Sequence, residues 1–289
     1  MPDTLLTRID RTLAQATASG ALQPIHTEHA VIQDGGIDFG VRWVSSLAHK
    51  DAARVTAAGR RDPDYNPFLP PEPTLTVGPL GDAHLAVLNK YPVIARHLLI
   101  VTRDFELQTA PLSRADFAAL AQVMGELGGL GFYNGGTEAG ASQRHKHLQW
   151  IPESADGPSL LAFTSDLPED LPTDRPTSNP RLPWRHRFVR LARIAQAQRE
   201  HAGETLQRGF ALACAALGIA AEHDPVSAYN LLVQGDWLAV IPRRYENSAG
   251  VSVNALGFAR SLFVRHAEQI ETVRASGPLS LLAAVGYAR

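Results

Sequence analysis

Two pairs of short apolar segments, each pair closely linked, set the strongest constraint on the fold. His84 to Asn89 and His97 to Thr102 read as strands joined through Lys90-Tyr91-Pro92. Tyr229 to Gln234 and Trp237 to Ile241 flank Gly235-Asp236, a hairpin turn. Strands linked so briefly pair antiparallel, because a parallel pair needs a crossover of about a dozen residues or more. Ile37 to Val41 and Trp43-Val44 add β-rich sequence, as does Val251-Ser252-Val253-Asn254 near the end.

Helical spacing occupies the intervals. Leu5, Ile9 and Leu13 lie on one face before Gly20. Ser113-Arg114-Ala115-Asp116 has the form of a capping box, and behind it Phe117, Leu120, Ala121, Met124 and Leu127 share a face up to Gly128-Gly129. Leu206, Phe210, Ala213, Cys214 and Leu217 form a third such face, and further helical segments close the chain. Antiparallel strand pairs with helices beside them predict an α+β fold.

The segment 62–73 is too rich in proline for regular structure and reads as a loop. Residues 154–183 hold six prolines and predict a long surface connection. The chain is thus expected to have an N-terminal half, 1–153, and a C-terminal half, 184–289, working as one unit.

Composition narrows the function. A single cysteine, Cys214, rules out an internal disulfide and a zinc site built on two thiolates. The N-terminus lacks a basic flank leading into an apolar run, and no stretch approaches the ~20 apolar residues of a membrane span. These features predict a cytoplasmic protein with no membrane partner. Formal net charge is −2, so no global field draws the chain to nucleic acid. A polyphosphate ligand would need a local site.

Chemistry concentrates between Asn134 and Trp150. Alternate residues of a strand share a face, so a strand from His145 to Ile151 would present His145, His147 and Gln149 together. Lys146, Leu148 and Trp150 would face the other way. The glycine-rich turn from Asn134 to Gly140 would place backbone N–H groups near an anion. Imidazole is a suitable nucleophile for a nucleotide α-phosphate, being largely neutral near pH 7 and forming a reactive phosphoramidate. A first histidine in such a row positions the nucleophile or holds backbone. Gln149 can donate to a non-bridging oxygen but carries no proton to give, which suits transfer between phosphates better than hydrolysis. A His-x-His pair is also a possible metal ligand set, although the segment offers no Cys or Asp in register. No dinucleotide fingerprint supports a nicotinamide enzyme.

Gly140-Ala141-Ser142-Gln143-Arg144-His145-Lys146-His147-Leu148-Gln149 resembles the active-site strand of the diadenosine tetraphosphate phosphorylases, also called ATP adenylyltransferases. These belong to the histidine-triad superfamily and are relatives of the galactose-1-phosphate uridylyltransferases. Asn66 to Pro73, Asn89 to Pro92, His97 to Thr102, Ser227 to Asn230, Trp237 and Ile241 to Arg243 resemble further family segments, so the similarity spans about residues 39–286.

The resemblance implies two pseudo-repeated, histidine-triad-like halves in one extended antiparallel sheet flanked by helices. It implies an adenylyl-histidine intermediate, with His147 as nucleophile and His145 and Gln149 as partners. Asn134 and Ala139, Gly140, Ala141 and Ser142 fall on nucleotide-phosphate contacts. Lys50, Asn89 and Lys90 fall along the substrate channel. Asn254, Ala255, Leu256, Ser261 and Arg265 fall in the distal polyphosphate and second-nucleoside region. Lys50, Lys90 and Arg265 would offset the ~4 charges of the polyphosphate. Mg²⁺ is expected to travel with the polyphosphate, with no protein metal cage. Glu138 departs from the pattern by placing an acid near the phosphates. The expected partners are small nucleotides and phosphate, and the expected state is monomer or dimer. Guanylyl or uridylyl transfer, a non-catalytic sensor and a hydrolase stay open as alternatives.

Overall fold

The helix that opens the chain in the computed structural model, α1 (Leu5–Ala18), is capped by Thr4, whose hydroxyl accepts the Thr7 N–H at 3.2 Å. The structure describes residues 3–44, 65–192 and 201–289. A hairpin follows, β1 (Thr27–Asp34) and β2 (Ile37–Val44). The first half continues with β3 (Thr76–Leu80), β4 (His84–Leu88), β5 (Leu98–Thr102), α2 (Arg114–Leu127), β6 (Leu130–Gly135) and β7 (His147–Ile151). The second half has β8 (Pro176–Thr177), β9 (Arg187–Arg190), α3 (Ala202–Leu217), β10 (Tyr229–Gln234) and β11 (Trp237–Pro242). After a two-residue ladder, β12 (Asn247–Ser248) and β13 (Val251–Ser252), come β14 (Ser261–Val264), α4 (Gln269–Ser276) and α5 (Pro278–Val285).

Nine of these strands form one antiparallel sheet, in the order β3-β4-β5-β7-β6-β10-β11-β9-β8. The order reads alike outward from its centre. β5-α2-β6-β7 and β9-α3-β10-β11 are the same motif, joined where β6 pairs with β10 from Leu130↔Gln234 to Gly135↔Tyr229. The halves therefore share one sheet. They differ at the hairpin tip, where Gly235-Asp236 closes the second copy but residues 136–146 separate β6 from β7 in the first. The extra length is where the site lies.

Two cores sandwich the sheet. On one face α1, α2 and α3 cover Tyr133, Leu148, Trp150, Leu231 and Val240. Helices α2 and α3 meet closely: Phe117 and Phe210 rings lie 5.4 Å apart, and a Cβ on Gly203 would stand 2.9 Å from the Ala118 Cα. On the other face Phe132, Ile151, Leu232 and Ile241 pack against a three-stranded layer, β1-β2-β14, and the C-terminal helices. Packing and alternation together direct Leu148 and Trp150 to the helices and His147 and Gln149 to the opposite face.

The helical periods match the sequence reading, and the capping box is present: Asp116 N donates to Ser113 Oγ at 3.2 Å and Ser113 N to Asp116 Oδ2 at 2.7 Å. Three expectations need correction. The strand expected from His145 begins at His147, with His145 in an isolated bridge to Leu107. Asn134 and Gly135 end β6 and are not part of the turn. The 154–183 connection is not wholly surface, since Leu160, Phe163, Leu167 and Leu182 enter the second core. Strand β6 went unread because Leu130 to Gly135 is buried on both faces and shows no alternation.

Candidate active site

His147 is almost fully buried, at 4% exposure, and each of its polar groups but one is fixed. Its backbone N–H donates to Gln108 Oε1 at 2.9 Å. Its Nδ1 lies 2.8 Å from the His145 carbonyl oxygen. A carbonyl only accepts, so Nδ1 carries the proton and the Nε2 lone pair is left for chemistry. Burial pushes the His147 pKa down to about 4, against a smaller opposing effect of the His145 carbonyl, so the ring is neutral near pH 7. Phe68 covers it, with ring centroids 5.4 Å apart.

His145 orients this group and does not itself face a ligand. Its Nδ1 accepts from Asn66 Nδ2 at 3.0 Å, and its Nε2 donates to the Thr102 carbonyl at 2.8 Å. With both nitrogens engaged inside the protein, the pair does not converge on a metal. The structure thus places His145 behind His147, holding its Nδ1–H through the backbone carbonyl.

Gln149 stands two residues along the same face. Its orientation is set by a chain that starts at a backbone amide. Tyr91 N donates to Asn89 Oδ1 at 3.1 Å, which leaves Asn89 Nδ2 to donate to His97 Nδ1 at 3.1 Å. His97 Nε2–H therefore donates to Gln149 Oε1 at 2.9 Å. The Gln149 oxygen is held back and its NH₂ group is presented to the site. Burial lowers the His97 pKa to about 4, so this donor–acceptor polarity holds near pH 7. Asn89 is thus linked to Gln149 through His97.

Gln108 braces the gap where β6 and β7 part. Its Nε2 donates to the Asn134 carbonyl at 2.8 Å and the His147 carbonyl at 3.2 Å, while Oε1 holds His147 N. One buried amide thereby continues the ladder beyond its last pair, Phe132↔Gln149. Gln108, His97, Asn66 and Phe68 were not recognised in the sequence as site residues. Asn66-Pro67-Phe68 and His97 lie inside segments that resemble the family, which was the available signal; Gln108 had none.

The turn itself is a 3₁₀ stretch, Thr137–Ala139. The N–H groups of Ala139 and Ala141 donate to Gly136 O, and that of Gly140 to Thr137 O. Those three N–H groups are thus spent within the turn, and beyond them Ser142 and Arg144 are exposed. Gly140 has φ 90°, and a Cβ there would sit 2.8 Å from the Asn254 Cα, so glycine alone permits the turn to meet that wall. A recess beyond it is lined by Gly140, Ser252, Asn254, Ser261 and Phe263.

Several anticipated contacts have other employment. Asn134 Oδ1 accepts from Asn230 Nδ2 and from Ala255 N, both at 2.9 Å, tying β6 to the distal segment. Asn254 Oδ1 accepts the Leu256 N–H at 2.9 Å, while Ala255 and Leu256 are buried. Lys90 is neutralised by Glu72, Nζ to Oε2 being 2.8 Å, and Glu72 is the chief cause of its raised pKa. Arg265 is exposed, and Lys50 lies outside the described residues. Glu138 is exposed. Among the described residues no cluster of three or more His, Cys, Asp or Glu is arranged to hold a metal, and no helix is long and apolar enough to cross a membrane.

Known proteins share this fold. The yeast Ap4A phosphorylase Apa2 superimposes with a TM-score of 0.81 at 23% identity, covering 100% of this chain and 99% of that one. Its complex with Ap4A gives 0.74 at 23% identity, covering 100% and 99%. In sequence, diadenosine 5',5'''-P1,P4-tetraphosphate phosphorylase 2 of Saccharomyces cerevisiae is 26% identical over 301 residues, covering 94% of this chain and 90% of that protein. Protein APA1 of the same yeast is 29% identical over 163 residues, covering 52% of this chain and 49% of its own length. Residues 180–288 match the ATP adenylyltransferase C-terminal domain. Residues 1–160, more than half of the chain, match the Ap4A phosphorylase N-terminal domain, and the chain belongs to that family of nucleotidyltransferases.

Proposed function

We propose that this chain converts diadenosine tetraphosphate and phosphate into ATP and ADP through an adenylyl group carried on His147. The observation that supports this most directly is the His147 Nδ1–H bond to the His145 carbonyl, which directs the Nε2 lone pair into the site. In the first step Nε2 attacks the α-phosphorus, a P–N bond forms, the Pα–O bond breaks and ATP leaves with that electron pair. Nδ1 keeps its proton throughout, so the adduct is a cationic imidazolium whose N–H still donates to the carbonyl. An inorganic phosphate oxygen then attacks the same phosphorus, the P–N bond breaks and ADP departs.

Neither step needs a general acid, because both leaving groups are weakly basic. That agrees with an amide at position 149, which stabilises charge and cannot protonate. The Gln149 NH₂ and the donors around Ser142 hold the non-bridging oxygens. Ser261 and Asn254 line the recess toward the far nucleotide. The substrate is taken up as its magnesium complex, with polyphosphate oxygens and water as the ion's ligands.

The test is product analysis after mixing protein, diadenosine tetraphosphate and Mg²⁺ with and without phosphate. ATP and ADP in equal amounts, formed only with phosphate, are expected. Turnover that proceeds equally without phosphate would make the chain a hydrolase. Products from guanine or uracil nucleotides only would keep the mechanism and change the substrate.

A further inference from the structure

The Arg243 guanidinium is buried at 2% exposure, and every hydrogen bond recorded for it goes to a neutral oxygen. Nε donates to the Val285 carbonyl at 3.3 Å. One terminal nitrogen donates to Asn230 Oδ1 at 2.6 Å and the Ala139 carbonyl at 3.3 Å. The other donates to the Tyr245 and Val253 carbonyls, each at 2.8 Å. The group also lies over the Phe258 ring, 5.4 Å from its centroid. All five N–H donors are used, and burial lowers its pKa to about 9.

Those acceptors are not neighbours in sequence. Ala139 ends the turn beside β7, and Val253 belongs to the wall of the recess that also contains Asn254. Asn230 binds the same Ala139 carbonyl at 2.9 Å and Asn134 Oδ1 at 2.9 Å. The turn and the wall are therefore fastened to one planar cation, at the place where Gly140 touches Asn254. A lysine there would keep the charge but could not reach five diverging oxygens.

The geometry points to Arg243 as the positioning residue that sets which polyphosphate length the site accepts. This rests on the proposed function, in which one nucleotide is attacked at His147 and the other end of the polyphosphate reaches the recess. A bound chain runs from His147 past the turn into the recess, and the number of phosphates that fits depends on where the recess wall is held relative to His147. Arg243 fixes the wall to the turn while all its N–H groups are spent inside the protein.

The test compares wild-type protein and R243K on diadenosine tri-, tetra- and pentaphosphate with phosphate, reading kcat/KM for each and adenylyl-enzyme by intact mass. Wild type is expected to favour one length, and R243K to lose about 10-fold or more of that preference, the effect of ~1.4 kcal/mol between competing transition states. Equal loss at all three lengths would reduce Arg243 to a fold-holding residue and overturn the inference. So would a wild type that treats the lengths alike. If R243K does not fold, N230A, which removes one acceptor of Arg243 and one donor to Ala139, is read by the same ratio. Failure of the proposed function looks different, because wild type would then form no adenylyl-enzyme with any length.

Discussion

At the scale of single residues, the site is organised by hydrogen bonds whose direction is fixed from outside. Tyr91 N sets Asn89, Asn89 sets His97, and His97 sets Gln149. A Gln149→Glu variant can still accept from His97, but it turns a carboxylate oxygen toward the phosphates. Adenylyl transfer is expected to fall about a hundred- to a thousand-fold, the usual worth of one transition-state donor, with little change in thermal stability. Steady-state kinetics beside a melting curve checks this, and near-wild-type turnover would remove Gln149 from the mechanism. The pH dependence of adenylylation follows from His147, whose pKa lies near 4. The rate is expected to stay level across pH 6–8 and decline only toward pH 4. A pre-steady-state profile with an acid limb near 6.5 would show that the nucleophile is an ordinary exposed imidazole. His147 and Gln149 were legible in the sequence because strand alternation puts them on one face. His97 was legible as part of a strand and of a family-like segment but not as a site residue, since no local pattern distinguishes a histidine that orients a partner 52 residues away.

At the scale of elements, the two halves carry one motif, and the first copy differs in the length of its β6–β7 connection. Its closure depends on two residues of unlike kinds, Gly140 and Gln108. Gly140→Ala would force a side chain into the Asn254 backbone at a positive φ. It is expected to cost about 1–3 kcal/mol in urea denaturation and to depress activity further than that loss of stability explains. An unchanged denaturation midpoint would mean that the turn and the recess wall do not meet as described. Helix α2, α3 and the β10–β11 hairpin were readable because each has a local period and a terminator, the capping box and Gly235-Asp236 among them. The pieces that escaped are those defined by contacts distant in sequence. Strand β14 pairs parallel with β2, more than two hundred residues earlier, and nothing in Ser261 to Val264 announces that partner. Lys90 likewise read as a free cation because Glu72, its neutralising partner, lies 18 residues away in a proline-rich loop.

At the scale of the whole molecule, stability and activity share a buried polar layer under the sheet. Lys146 is fully buried and bonds Pro111 O at 2.9 Å and Asp116 Oδ2 at 3.4 Å, while His84 Nε2 lies 2.7 Å from Asp116 Oδ1. Glu106 pairs with the same ammonium. This ion network anchors the residue between His145 and His147 on the side opposite the site. Asp116→Ala is expected to cost ~3–5 kcal/mol in equilibrium unfolding, because it leaves buried charge less well paired. A loss below ~1 kcal/mol would show the network to be dispensable. Three histidines, His97, His147 and His186, have pKa values lowered by desolvation to about 4 in the fold against 6.5 for the free group. Between those values the unfolded chain binds more protons, so stability is highest above pH 6.5 and is lost as pH falls toward 4. Urea midpoints at pH 7 and pH 5 measure this, and an equal or higher midpoint at pH 5 would contradict it. The same burial that makes these rings costly to protonate keeps His147 neutral, as the proposed nucleophile must be. Mass spectrometry of intact protein mixed briefly with diadenosine tetraphosphate and Mg²⁺, without phosphate, tests that point most directly. Wild-type protein is expected to gain the mass of one adenylyl group, to lose it on adding phosphate, and to gain none as His147→Ala. An adduct that persists in His147→Ala, or none in a wild type that still turns over, would contradict covalent catalysis at His147.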